Sequence, residues 1–423
     1  MAEKIKSIRA MVNDTYQNKK FGFEALLVAA PPVEKKEPPS SSITYNTTTT
    51  VNLLLQHPFT ISAFINHLLH STRYPYKPGK TTNQHRQLRD ADHRFPLPRL
   101  RFYLPTAVSS LVPSPFDFQA FSIGPWVLDS KPIHFTRFPP DLTLLVHLRY
   151  LVLSWDFKIL PAALSSLWNI QTLVIETSSC TLEIIADVWN VIQMRHLKTN
   201  ASTTLKGPLA KSRKSEEASS NFKTLSAISP ESCTEDVVSA APNLRELGIQ
   251  GNLAKLFDTK GTGSSLFDNL GKLVYLENLK LWNDAFPPEG KIYSLPQSYK
   301  FPLKLKKLTI VSTRIVWWHI STLGLLEGLE ILKLKENAFR GDRWKSQDGG
   351  FRSLIVLYIG RTDLVLWEAS ALHFPRLKCL RLNYCSKLHE VPFELANVPS
   401  FQILDLNCTS RSAAKSAKKI SEH

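Results

Sequence analysis

Leucines return along this chain with a period too long for one helix or one strand. From Leu377 to Cys385 the sequence reads LKCLRLNYC, with leucines at 377, 380 and 382 and a cysteine three residues on. With the middle leucine as phase mark, the pattern recurs at Leu151, Leu173, Leu197, Leu225, Leu247, Leu279, Leu308, Leu332, Leu357, Leu380 and Leu404. The steps are 22, 24, 28, 22, 32, 29, 24, 25, 23 and 24 residues, so seven of ten fall between 22 and 25 and three need insertions. Alternation around each mark predicts a short strand with its leucines on one side and their neighbours on the other.

A second column supports the register. Five residues after each mark stand Asp156, Ser178, Ser202, Pro230, Asn252, Asp284, Thr313, Asn337, Thr362, Cys385 and Thr409. All but Pro230 are small and able to bond locally, as a sharp turn requires where no sheet ladder reaches the backbone. The Leu225 repeat is accordingly the least regular. The two columns fit the leucine-rich-repeat template, in which one strand and its return path make one unit of a solenoid.

The predicted fold class is α/β: a leucine-rich-repeat solenoid with a curved parallel sheet and an irregular or short-helical convex side. About eleven repeats occupy residues 116–410. Before them, residues 1–30 carry Ile5, Ile8, Met11, Val12 and Tyr16 at helical spacing, an amphipathic segment. Residues 31–115 begin with a Pro-, Ser- and Thr-rich stretch and read as a mostly disordered linker, with FPLPRLRFYLP (95–105) as a candidate edge strand. Residues 411–423 read as a polar tail.

Strand alternation places the residues beside the phase leucines on the concave face, where a solenoid binds its partners. The candidate protein-binding residues are Tyr150, His196, Lys198, Lys280, Trp282, Lys307, Lys333, Lys335, Tyr358 and Arg381. Lys280, Lys307, Lys333, Lys335 and Arg381 make its basic half; Trp282 and Tyr358 are aromatic anchors of the kind binding hot spots favour. Of the neighbouring Trp317 and Trp318, at least one is expected to pack into the core or the convex side.

Charge and motifs narrow the function. The formal net charge of the 423 residues is +16, divided evenly between residues 1–140 and the remainder, so no basic tail marks a nucleic-acid-binding protein. Five cysteines, with no C-x-x-C spacing, suit a reducing compartment and structural roles. The N-terminus has no apolar run of secretory type, and no stretch is long and apolar enough to span a membrane. KPGKTT (77–82) ends like a phosphate-binding loop, but Tyr74 stands where such a loop needs glycine. No H-E-x-x-H, G-x-S-x-G or paired-cysteine site appears, so no enzyme, cofactor or metal is expected.

Several stretches resemble one family. FPPDLTLLVHLRYLVL (138–153), DVWNVIQMRHLKTN (187–200), NFKTLSAISPESCTEDVVSAAPNLRELGIQG (221–251) and LHEVPFELANVPSFQILDLNCTSRSAAKSAKKI (388–420) are similar, in family order, to the repeats of late-blight-resistance-type plant proteins. These are intracellular nucleotide-binding leucine-rich-repeat immune receptors with a coiled-coil N-terminal domain. Residues 2–28 resemble the end of that coiled coil, which would make the first segment its remnant. Residues 29–115 stand where the family carries its nucleotide-binding switch, and none of the switch motifs is present there.

The resemblance implies a cytoplasmic defence protein, with a nuclear pool as a second expectation, that retains mainly its sensor repeats. Its expected partner is a protein: a pathogen effector or a domain of a related immune receptor. The alternative is a general leucine-rich-repeat scaffold or ubiquitin-ligase substrate adaptor.

Overall fold

The structure, a computed structural model, describes residues 127–422 except 136–137, 139, 157, 209–220, 260–262 and 286–289. The expectations for the N-terminal helix, the linker and the strand at 95–105 lie outside the described residues.

The leucine period becomes a parallel sheet. Twelve strands lie side by side in chain order: β1 (Val127–Phe135), β2 (Tyr150–Trp155), β3 (Thr172–Thr177), β4 (His196–Thr199), β5 (Thr224–Ile228), β6 (Glu246–Gly251), β7 (Asn278–Asn283), β8 (Lys307–Val311), β9 (Ile331–Lys335), β10 (Val356–Gly360), β11 (Cys379–Asn383) and β12 (Ile403–Asn407). Every pair is parallel, and the register carries the phase leucines straight across, Leu151 to Leu173 to Leu197 and onward to Leu380 and Leu404. Strand β1 has no phase leucine in the sequence reading; it adds a twelfth strand through Leu128, which pairs with Leu151.

Burial explains the period. From β2 to β11 each phase leucine is at most 3% exposed, and a further apolar column three residues earlier, from Leu148 and Ile170 to Leu354 and Leu377, closes the core behind it. A buried leucine contributes on the order of 2 kcal/mol, so each repeat is held mainly by the neighbours that cover these columns. The return paths carry only short 3-10 turns, such as Ala162–Ser166, Val188–Asn190 and Phe393–Asn397, or α-helices of four or five residues, Glu235–Ser239, Leu253–Phe257 and Ser321–Gly324. A repeat of 22–25 residues leaves no room for more. Residues 411–422 form a helix whose small apolar face, Ala413, Ala417 and Ile420, is buried. Ser416 Oγ accepts from the Val391 N–H at 2.8 Å, tying this helix to the final return path.

The Leu225 repeat is irregular, as Pro230 foreshadowed. Strand β5 pairs Leu225 with Leu247 but Ile228 with Ile249, an extra residue that makes a bulge, with Ala227 at φ +56°. Gly248 lies against this bulge, and a Cβ there would stand 3.0 Å from the Ala227 nitrogen. Only glycine fits that approach without displacing backbone.

The turn after the strands has its own regularity. Ser312, Glu336, Arg361, Tyr384 and Cys408, each four residues past a phase leucine, all take φ between +49° and +57°. The next residue is polar and bonded: Thr362 Oγ1 accepts locally from the Leu364 N–H at 3.2 Å, as expected of the polar column, whereas Thr313 Oγ1 donates to the Ala338 carbonyl of the next repeat at 2.5 Å.

Behind the C-terminal half runs a stack of indoles. Trp317, Trp344 and Trp367 are at most 4% exposed, with ring centroids 5.1 and 4.9 Å apart and planes 14° and 5° from parallel. Phe339 stacks on Trp317, and Phe374 meets Trp344 edge-on. Trp317 is thus core, while Trp318 is 71% exposed.

Candidate functional site

Strand register decides which outward side chains meet. Lys280, Thr309, Lys333, Tyr358, Arg381 and Asp405 are successive register partners and form one row across β7–β12. Trp282, Val311 and Lys335 form the next row on β7–β9, and Lys307 lies between Asn278 and Ile331 in the row before. Neighbouring strands are about 4.8 Å apart, so one extended segment of a partner could meet the whole group.

Cations and rings are interleaved within it. The Lys280 ammonium sits 4.5 Å from the Trp282 ring centroid, and that of Lys335 sits 5.4 Å from the Tyr358 ring. Each contact places a positive charge over a π face while leaving ring surface to the outside. Tyr358 is laid down along its strand by Gly360, where a Cβ would come within 2.8 Å of the ring. Its hydroxyl accepts from Asn383 Nδ2 at 3.0 Å, and Asn407 Nδ2 donates onward to Asn383 Oδ1 at 3.0 Å. Gly360 escaped the sequence reading; its signal was a glycine at an outward strand position between two bulky repeats.

Two expectations are corrected. Arg381 is not an open member of the basic half: its Nε is 3.7 Å from Asp405 Oδ2 and its side chain is only 28% exposed, so its charge is already paired within the face. Nor do the residues beside the phase leucines all lie on an open face. Val152 and its register partner Asp129 point outward and are both buried, so the face is closed around β1 and β2, where Tyr150 is half-buried.

His196 and Lys198 lie three strands before Lys280 and belong to a separate, more polar region. His196 Nδ1 is 3.0 Å from Thr224 Oγ1, which in turn donates to Glu246 Oε2 at 3.5 Å. Burial, then the Lys198 charge, lowers the imidazole pKa from its ordinary 6.5. Lys198 itself is exposed.

The cysteines have structural settings. Burial pushes the Cys385 thiol up to about 11, and its Sγ lies 3.6 Å from the Ile359 carbonyl in the turn. Burial also raises the Cys379 and Cys233 thiols. Among the described residues no cluster of three or more His, Cys, Asp or Glu could hold a metal ion.

No family model matches the chain. Over 305 residues, 70% of this chain and 22% of the relative, it is 28% identical to a late blight resistance protein of Solanum demissum. It is also 28% identical over 287 residues to a putative late blight resistance protein homolog of the same plant, covering 65% of this chain and 35% of that one. The repeats are similar to those of late blight resistance proteins. The chain spans about a fifth to a third of the length of these late blight resistance relatives. Among solved structures, the Toll–Spatzle complex of Drosophila aligns with a TM-score of 0.43 at 11% identity, covering 67% of this chain and 40% of that chain. The leucine-rich repeat domain of the type III effector XopL aligns with a TM-score of 0.34 at 19% identity, covering 60% and 76%.

Proposed function

We propose that this chain is a non-enzymatic plant defence protein whose sheet face binds an acidic protein surface, either a pathogen effector or a domain of a related resistance receptor. The single observation that carries the reading is the row Lys280–Lys333–Tyr358, flanked by Trp282, Lys307 and Lys335. It puts several cations and two aromatic rings on adjacent strands of one rigid sheet. Positive charge steers an acidic partner and selects against basic ones, and the rings supply contact area at small entropic cost. The likeness to late blight resistance proteins supports the defence role.

The test is differential capture. The immobilised full chain and its Lys280→Glu/Lys333→Glu variant are exposed to extract of pathogen-challenged plant tissue, and retained proteins are identified and titrated. Partners held by the wild type should bind the variant about tenfold or more weakly, with the melting curve unchanged. Equal retention of the same proteins by both would remove the sheet face from the mechanism.

A further inference from the structure

A different surface, on the side where the chain enters its strands, has a chemistry that the sheet face does not use. Among the described residues, each return path whose end is seen finishes in a two-residue turn whose first residue lies five positions before the phase leucine. In the N-terminal repeats these tips include Trp168, Ile192, Val274 and Leu303, which are 58%, 57%, 49% and 86% exposed. The tips are stacked repeat on repeat. Asn169 Nδ2 donates to the Val146 carbonyl at 2.7 Å, Asn221 Nδ2 to the Ile192 carbonyl at 2.7 Å, and Lys304 Nζ lies 4.7 Å from the Tyr275 ring. After Leu303 the same position holds Glu327, Arg352, Pro375 and Pro399, so the apolar line is confined to the earlier repeats.

Three residues behind the tips runs a basic column: Arg149, Arg195, Lys223, Arg245 and Lys306. Gln171 stands between Arg149 and Arg195, and from Arg195 onward the column runs repeat to repeat through the backbone. Lys223 N donates to the Arg195 carbonyl at 2.8 Å, Arg245 N to that of Lys223 at 3.0 Å, Glu277 N to that of Arg245 at 3.0 Å and Lys306 N to that of Glu277 at 2.9 Å. Glu277 is the one acid interposed, and it pairs with Arg245 at 3.5 Å and Lys306 at 3.9 Å.

Exposed apolar groups in line signal contact with something other than water. Here they are single prominences on turn tips, Trp168 beside Ile192 and Val274 beside Leu303, with Ser220 and Pro242 holding the position in the two repeats between, so separate side chains and not one broad apolar patch shaped to a protein are presented. A bilayer interface requires no such complementarity. It accepts tryptophan and aliphatic tips at the headgroup boundary, and cations just behind them meet phosphate.

We propose that this edge docks the solenoid on an anionic lipid bilayer, the tips Trp168, Ile192, Val274 and Leu303 entering the interface and the cations of the column, Arg195 and Lys223 foremost, pairing with headgroup phosphates. The proposal is independent of the sheet-face reading, because it uses other residues on another side of the repeats.

Co-sedimentation of the full chain with vesicles tests it. Phosphatidylcholine vesicles containing about one-quarter phosphatidylserine should retain the chain and pure phosphatidylcholine vesicles should not. The Trp168→Ser/Ile192→Ser/Leu303→Ser variant should bind the charged vesicles at least about tenfold more weakly, its circular dichroism unchanged since all three side chains are exposed. Arg195→Glu/Lys223→Glu should also weaken retention and flatten its salt dependence. Brominated lipid should quench wild-type fluorescence more than that of Trp168→Phe. Undiminished retention of the triple variant would overturn the proposal, since other charges would then account for binding. Absence of retention on charged vesicles would also overturn it and leave a protein as the occupant of this edge.

Discussion

From Thr172 to Gly251 the outward strand positions are occupied mainly by small or uncharged groups such as Thr172, Val174, Thr224, Ser226 and Gly248. From Asn278 to Asn383 the same positions hold Lys280, Trp282, Lys307, Lys333, Lys335 and Tyr358. The return side differs as well: the earlier repeats are filled mainly by aliphatic residues with one edge-on aromatic pair, Trp189 and Phe222, whereas the Trp317–Trp344–Trp367 stack fills the later ones. One leucine frame therefore supports two halves of unlike chemistry. The inward columns hold the array together, which leaves outward positions free to diverge without loss of fold. The later half combines its densest outward chemistry with its largest buried side chains, a rigid backing for a binding face.

The comparison can be broken most forcefully at Trp344. Replacement by alanine should lower unfolding free energy by about 3–5 kcal/mol in urea denaturation, because the ring is 1% exposed and sandwiched between two indoles. Trp168→Ala, in the earlier half, should change it by no more than about 0.5 kcal/mol. Equal losses would show that the indole stack is no special support of the later half.

A smaller effect is expected in the earlier half at Gly248. Valine there should cost about 1–3 kcal/mol by the same measurement, because its Cβ would press on the Ala227 backbone within the bulge. A neutral outcome would mean that the bulge shifts freely and that β5 and β6 are not fixed in register.

The smallest effect is the pH response of His196. Burial, followed by Lys198, depresses its pKa below 6.5, so the unfolded chain takes up the proton before the folded one. The neutral ring's contribution is complete above 6.5 and is lost as pH falls through that value toward the lower folded pKa. Stability measured between pH 7.5 and 5, a range of about 2.5 units around the ordinary histidine value, should fall less steeply in His196→Asn than in the wild type. Parallel curves would exclude a depressed His196.

Much of this architecture could be read from spacing. All eleven phase leucines lie in register because a leucine at that position must enter the core in every repeat. The ten candidate face residues alternate outward with them, yet their grouping was not legible. Whether Arg381 is paired depends on Asp405 one repeat away, and the lie of Tyr358 depends on Gly360. Strand β1 escaped because Val127–Phe135 carries no repeat signature. The indole stack escaped for another reason: Trp317, Trp344 and Trp367 stand nine, twelve and ten residues past their phase leucines, so insertions conceal their alignment. The tip line was visible in sequence only once the turns fixed its position.

The left-handed turns at Ser312, Glu336, Arg361, Tyr384 and Cys408 carry a consequence for how this array can change. A side chain in that backbone region costs on the order of 1 kcal/mol relative to glycine or asparagine, so five repeats hold an unclaimed margin of stability. Arg361 there bonds Glu336 at 3.1 Å and lies 5.3 Å from the Tyr384 ring, so neighbouring repeats are tied along this rim. An array with both strained turns and ties between repeats can absorb a destabilising change on its binding face by relaxing a turn elsewhere. The rim is where the face acquires its freedom to diversify.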